Sequence, residues 1–252
     1  MYSERSFVQS VEKISDEIFL IKVLSPAIAC IIKPGQFCNI KVSENTLPLL
    51  RRPFSVCDVE DDCICFLFDV HGEGTNILSK KKNGDILEIL GPLGKGFSSK
   101  DDFQTAIIVA GGLGAAPFPL LIKKIQGEKE IISLVGGRSG KQIVTRGLIN
   151  ISVATEDGSV GFKGTVLDLL QEKINKNDMK KFKIFSCGPN PMLKALQKIC
   201  NENNYDCEIS VESAMACGFG ICQGCPIESA DGESYLLVCK DGPVFNSKAV
   251  KL

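Results

Sequence analysis

The chain has 252 residues, 44% of them hydrophobic, with 29 Lys and Arg against 30 Asp and Glu. A formal charge of −1 excludes the broad basic surface that nucleic acid or an anionic membrane would attract. The length suffices for one large domain or several small ones with a real core.

The opening residues, MYSERSFVQSVEKISDE, lack the basic-then-apolar order of a signal peptide. A long uncharged stretch, Thr105 to Ile122, is interrupted by three glycines and two prolines. A strand, a glycine turn and a buried helix are expected there rather than a membrane span. The expected compartment is the cytoplasm, where the twelve cysteines should be thiols rather than disulfides. Eight of them lie scattered (Cys30, Cys38, Cys57, Cys63, Cys65, Cys187, Cys200 and Cys207), and most read as small buried hydrophobes, with Cys187 a partial exception.

From Met1 to about Ser99, β-branched and aromatic runs such as EIFLIKVLS, GQFCNIKV and CICFLFDVH are separated by Gly, Pro and Asp turns. That spacing predicts an all-β barrel or sandwich. From about Lys100 to Ser210, apolar strands (TAIIVAGG, EIISLVGG, KIFSCGP) alternate with helical patterns (APFPLLIKKIQ, TVLDLLQEKI, PMLKALQKICNENN). The alternation predicts a parallel sheet covered by helices. The remainder, Val211 to Leu252, is short and cysteine-rich and needs a staple to fold.

Within the first region, RRPFSV offers Arg52 as a partner for a phosphate and Ser55 as a hydroxyl donor to a flavin or phosphate. The competing reading is a surface arginine beside a strand-starting proline. HGEGTNIL places Gly72, Gly74 and Thr75 just before a helical start, which suits a phosphate at a helix N-terminus. GPLGKGF is either another close-approach loop or a simple turn. In the second region, VAGGLGAAPF follows a strand and precedes a helix, a context suited to a dinucleotide phosphate through Gly111, Gly112 and Gly114. It departs from the G-x-G-x-x-G fingerprint, since Pro117 stands where the third glycine would be. SCGPNPM, with Gly188 and Pro189, ends a later strand at the carboxyl edge where open α/β sheets bind ligands. Cys187 there either contacts a nicotinamide or fills space. No acidic residue follows EIISLVGG, and Arg138 stands where it would favour a 2′-phosphate.

The last region carries Cys217-x4-Cys222-x2-Cys225, with Cys239 further on. This is the spacing of plant-type 2Fe-2S ligation, and Gly218, Gly220 and Gly224 let backbone wrap closely and aim N–H groups at sulfur. A four-cysteine zinc site, the alternative, normally pairs two C-x2-C knuckles, and only one is present. The chain holds one His, His71, in a glycine loop, and no acid–base constellation of the kind that removing a proton from a substrate carbon demands.

Taken in order, RRPFS, GEGT, GPLGKGF, GGLGAAP, TEDGSVGFKG, CGPNPML, MACGFGICQGC and VCKDGPVF resemble the ferredoxin-reductase-like flavoproteins. More narrowly they resemble the electron-transfer subunits of NAD-dependent (type B) dihydroorotate dehydrogenases. The resemblance spans the whole chain, and the last two motifs are its most specific. It implies three parts: an antiparallel β-barrel binding FAD over residues 1–99, a parallel-sheet α/β domain binding NAD over 100–210, and a small 2Fe-2S domain over 211–252. FAD contacts are implied at Arg52, Pro53, Phe54 and Ser55, along Leu67, Phe68 and Asp69, and at Gly74 and Thr75. NAD contacts are implied at Gly111, Gly112, Gly114, Gly188 and Pro189, and cluster ligation at Cys217, Cys222, Cys225 and Cys239. The implied partner is an FMN-containing catalytic subunit, two of each chain, in which dihydroorotate becomes orotate. Two residues depart from the family pattern. Asp69 replaces a frequent Arg, so a flavin contact there falls to backbone, and Ala214 replaces a frequent Arg before MACG. Two rivals are a similar flavin and iron–sulfur subunit of a hydrogenase or NAD-dependent ferredoxin transhydrogenase, and a zinc-stapled interaction protein without enzymatic function.

Overall fold

The computed structural model describes residues 1–176, 179 and 181–252. Six strands close a barrel: β1 (Tyr2–Lys13), β2 (Ile18–Leu24), β3 (Phe37–Lys41), β4 (Arg52–Glu60), β5 (Cys63–Asp69) and β6 (Ile86–Leu93). Their order is β1-β2-β5-β4-β3-β6, every pair is antiparallel, and β6 returns to β1. Helices α1 (Pro26–Ala29) and α2 (Glu73–Ser79) lie in its connections. Alternation along the strands turns Ile21, Val23, Ile40, Val56, Ile64, Phe66, Phe68, Leu87 and Ile89 into one core. The sequence pattern left barrel and sandwich open, and the β1–β6 pairing decides for the barrel.

The next region builds a parallel sheet from β7 (Thr105–Gly111), β8 (Glu130–Gly137), β9 (Ile151–Thr155), β10 (Phe162–Lys163), β11 (Phe182–Cys187) and β12 (Cys207–Ser210). Helices α3 (Phe118–Ile125), α4 (Val166–Lys176) and α5 (Asn190–Asn203) cover it. The central strand β7 is buried on both faces, which is why TAIIVA reads as an unbroken apolar run. Ala106, Ile108 and Ala110 pack with α3 and with Leu20 and Leu67 of the barrel. Ile107 and Val109 pack on the other side with α4 and α5. The uncharged run from Thr105 thus divides into β7, a tight turn over Gly112–Ala115 and α3. Among the described residues no helix is long and apolar enough to cross a membrane.

The C-terminal residues do not close on themselves. Strands β13 (Pro226–Glu228) and β14 (Tyr235–Leu237) pair only with each other, whereas β15 (Val244–Asn246) joins β12 antiparallel as the seventh strand of the larger sheet. Cys225, Leu237, Val238 and Cys239 share the core of α4 and α5. A segment too short to bury its own core borrows that of its neighbour.

Between barrel and sheet, Phe97 stacks on Phe118 at 5.6 Å and meets Phe185 edge-on at 5.6 Å. Beside them Lys183, whose side chain is 3% exposed, reaches Glu208 at 3.0 Å and pairs with Asp101. Glu208 in turn accepts the Ser98 N–H at 2.9 Å. The linker out of the barrel is therefore clasped to the sheet by rings and by a buried ion pair.

Candidate functional site

Arg52 to Ser55 open β4, opposite β3, with Ser55 facing Phe37 and Pro53 facing Asn39 in register. The Arg52 guanidinium lies where a Cβ on Gly74 would stand and donates to the Leu50 carbonyl. The fold thus brings together two residues that the sequence could only nominate separately. Phe54 packs with Phe68 at 5.8 Å and Phe66 at 6.3 Å. Leu67 and Phe68 are buried on opposite sides of β5, so what they offer a ligand is backbone. Asp69 stands 3.7 Å from the exposed His71. The Thr75 hydroxyl closes its own turn, accepting the N–H groups of His71 at 2.9 Å and Gly72 at 3.2 Å.

The two glycine motifs of the sheet touch each other. A Cβ on Gly114 would collide with the Cys187 carbonyl, one on Gly111 would meet Pro189 and Met192, and one on Gly188 would meet Met192 and Gly111. These three glycines serve close packing of one turn on the other. Gly112 alone of the four has open space, its nearest neighbour being the Gln142 carbonyl at 3.8 Å, and its φ of +55° favours glycine. Pro117 caps α3, so the missing third glycine of the fingerprint is a helix start. Cys187 is buried, and burial first, with Glu212 adding to it, pushes its thiol up to about 12. It stays protonated near neutral pH. Arg138 is exposed at the end of β8, and its N–H donates to Gln142 at 2.8 Å.

The four C-terminal cysteines stand in two pairs. The Cys222 N–H points at the Cys217 sulfur at 3.5 Å, and the Cys239 N–H at the Cys225 sulfur at 3.4 Å. Cys225 and Cys239 are buried while Cys222 is exposed and Cys217 half-buried. Burial works to raise the Cys217 thiol, but the N–H groups of Cys222 and Phe219, the Cys222 thiol and the Ile221 N–H together outweigh it and bring it down to about 6. Burial, then the neighbouring Cys225, push Cys239 up to about 12. Among the described residues no three His, Cys, Asp or Glu side chains converge on a single-ion site. Two thiol pairs with N–H groups aimed at sulfur are a donor set suited to a binuclear iron–sulfur centre. Seven of the eight scattered cysteines are buried and Cys30 is exposed.

Two residues of the site gave no signal in the sequence. Glu212 is exposed as a residue, yet burial raises the pKa of its carboxyl, with the charge of Asp69 adding to the effect. It acts on Cys187 as well, so it joins the end of β5 to the end of β11. It also lines, with Asn190, Lys194, Ser213 and Ile227, a cleft of about 560 Å³ between α5 and the C-terminal segment. Asn39 is the second, and donates to the Cys217 carbonyl at 3.1 Å.

The family model for the iron–sulfur cluster binding domain of dihydroorotate dehydrogenase B matches residues 212–251. The dihydroorotate dehydrogenase B (NAD(+)) electron transfer subunit of Caldanaerobacter subterraneus subsp. tengcongensis is 44% identical over 221 residues, 86% of each chain. Its counterpart in Bacillus velezensis is 38% identical over 256 residues, 97% of each chain. Among solved structures, an NADH-dependent reduced ferredoxin-NADP oxidoreductase superposes with a TM-score of 0.85 at 26% identity, covering 98% of this chain and 89% of that one. The ferredoxin reductase of carbazole 1,9a-dioxygenase, at 18% identity and a TM-score of 0.68 over 81% of this chain and 66% of that one, shares the fold. With such identity over nearly its whole length, the chain belongs to the family of dihydroorotate dehydrogenase B (NAD(+)) electron transfer subunits.

Proposed function

We propose that this chain carries electrons between a separate dihydroorotate-oxidising subunit and NAD, through a 2Fe-2S cluster and FAD held in its own fold. What carries the reading is that the separate motifs of each set come together: Arg52 lies on Gly74, the GGLG turn on the CGP turn, and the Cys217 loop on β3 beside the flavin strand. FAD when bound supplies two-electron exchange with a nicotinamide and one-electron exchange with the cluster. Arg52 would hold its phosphates by charge-assisted hydrogen bonds, with Pro53, Phe54, Ser55, Gly74, Thr75 and the backbone of residues 67–69 shaping the rest of the site. Gly112 leaves room for the dinucleotide, and Gly111, Gly114, Gly188 and Pro189 build the wall behind it. Glu212 places a protonatable carboxyl where the flavin and nicotinamide sites adjoin. Cys217 with Cys222, and Cys225 with Cys239, would each hold one iron.

Residues 1–99, 100–210 and 211–252 divide the labour as flavin, nicotinamide and cluster regions. The partner is an FMN-containing catalytic subunit, two copies of each chain forming the complex. Exposed Cys222, beside Ile221 at 76% exposure, supports its approach from the cluster side. Twelve cysteines, none in a disulfide, support a reducing, cytoplasmic setting.

The test is co-purification with the catalytic subunit, iron, zinc and flavin analysis, and assay with dihydroorotate and NAD. One FAD and two irons per chain are expected by the motif count. Zinc in place of iron, or no dihydroorotate-dependent NAD reduction by the assembled complex, would overturn the reading. The superposition on the ferredoxin-NADP oxidoreductase chain favours a second reading, a subunit with a larger flavin and iron–sulfur partner, and the identity of the co-purified chain separates the two.

A further inference from the structure

Strand β3 carries a polar side chain that is wholly covered. Its neighbours Cys38 and Ile40 turn into the barrel core, and Asn39 turns outward by alternation, yet it has no exposed surface. Its Nδ2 donates to the Cys217 carbonyl at 3.1 Å, and its Oδ1 has no hydrogen-bond partner. The adjoining Gly218, at φ +80°, sits so closely on this amide that a Cβ would collide with Nδ2 and stand 3.5 Å from Oδ1. On the barrel side Asn39 is the register partner of Pro53. One residue therefore connects the flavin strand to the first cysteine of the ligand loop.

A buried acceptor without a partner is costly, and an apolar side chain of the same shape avoids that cost. Burial alone gives no reason for an amide here. We propose that Asn39 is a positioning residue for electron transfer: its amide seats the Cys217–Cys222 loop on the strand beside the flavin motif and sets how the two redox groups face each other. The unpaired Oδ1 lies beside the same loop, 3.5 Å from where a Cβ on Gly218 would stand. The proposal rests on the assignment of Arg52–Ser55 to flavin and Cys217 to the cluster. Iron and flavin analysis of the unaltered chain tests that assignment first, so its failure is distinguishable from a failure of Asn39.

The experiment uses the full chain loaded with FAD and cluster. Asn39→Leu keeps the shape and removes the donor. Rapid-mixing with NADH should show flavin reduction unchanged and the following cluster reduction slower by about tenfold or more, since small misplacements carry large rate penalties. The EPR spectrum and midpoint potential of the cluster, which do not depend on turnover, should also move. Gly218→Ala attacks the contact from the loop side and should reproduce the split. Loss of the cluster from Asn39→Leu with FAD and NADH oxidation intact would equally mark the loop as unseated. A fully loaded Asn39→Leu chain with the original cluster-reduction rate, spectrum and potential would overturn the proposal. So would loss of FAD together with the cluster, because Asn39 would then be a structural residue of the barrel.

Discussion

Replacing Lys183 by Met should destabilise the chain through the carboxylate it leaves behind. The Lys183 side chain is 3% exposed and that of Glu208 is 10% exposed, whereas Asp101 and Asp206 are 48% and 49% exposed and can turn to water. The stranded charge is therefore Glu208, left with the Ser98 N–H as its remaining partner. Breaking a buried pair from one side costs about 3 kcal/mol or somewhat more. For a chain of this size that corresponds to a fall in Tm of roughly 6–12 °C. The double variant Lys183→Met, Glu208→Gln keeps an acceptor for Ser98 and strands no charge, so most of the loss should be regained. The pH dependence follows from the direction of the shift. Burial lowers the Lys183 ammonium, but Asp101, Glu208 and Asp206 more than offset it, and its pKa is raised above the ordinary value. A cation with a raised folded pKa contributes fully below its unfolded value and loses that contribution as pH rises through the folded one. The difference between Lys183 and Met variants should thus be flat across neutral pH and shrink only in strong alkali. Calorimetry of the FAD-loaded proteins measures it. A single variant within about 2 °C of the original, or a double variant no better than the single, would refute this account of the clasp.

Arg52→Ala should weaken FAD retention by roughly ten- to a hundredfold, the effect of losing about 1.5–3 kcal/mol of hydrogen bonding to a charged group, as read by flavin fluorescence on dilution. Unaltered FAD affinity would remove Arg52 from the site. Gly114→Ala drives a Cβ into the Cys187 carbonyl and should raise the KM for NADH while leaving FAD content unchanged, since the atoms nearest that Cβ belong to Cys187 and Gly188 and not to the barrel. Cys222→Ser should keep NADH oxidation by a dye that accepts from flavin and abolish NADH-dependent orotate reduction in the assembled complex. Persistence of that reduction without a cluster would redirect the electron path away from these cysteines.

Much of this molecule is legible in one dimension because its determinants are local. Alternation in β6 and the unbroken apolar run of β7 report which faces are covered, and the cysteine spacing within Cys217–Cys225 is a property of a single loop. The glycine motifs are legible as places and less so as reasons. In GGLG and CGP, space that the sequence pattern assigns to a phosphate is mostly taken by the opposite turn, and only a three-dimensional neighbour distinguishes the two uses. The C-terminal boundary is similarly hidden, since β15 completes a sheet whose other strands end before Val211.

Asn39 and Lys183 mark where sequence reading must fail. A polar residue at an outward position of a strand, as in FCNIK, reads as a solvent face, because alternation tells which way a side chain points and not what lies against it. The partner of Asn39 is 178 residues away, and Lys183 gathers carboxylates from a linker and from an adjacent strand. Both sit at seams, one between barrel and cluster loop, the other between barrel and sheet. In the proposed arrangement the seams rather than the motifs set how flavin, nicotinamide and cluster face one another. A motif therefore states which cofactor a region is built for, whereas the relation between cofactors is carried by residues that no motif contains. In a protein that relays electrons, that relation is where substitutions should separate transfer from binding.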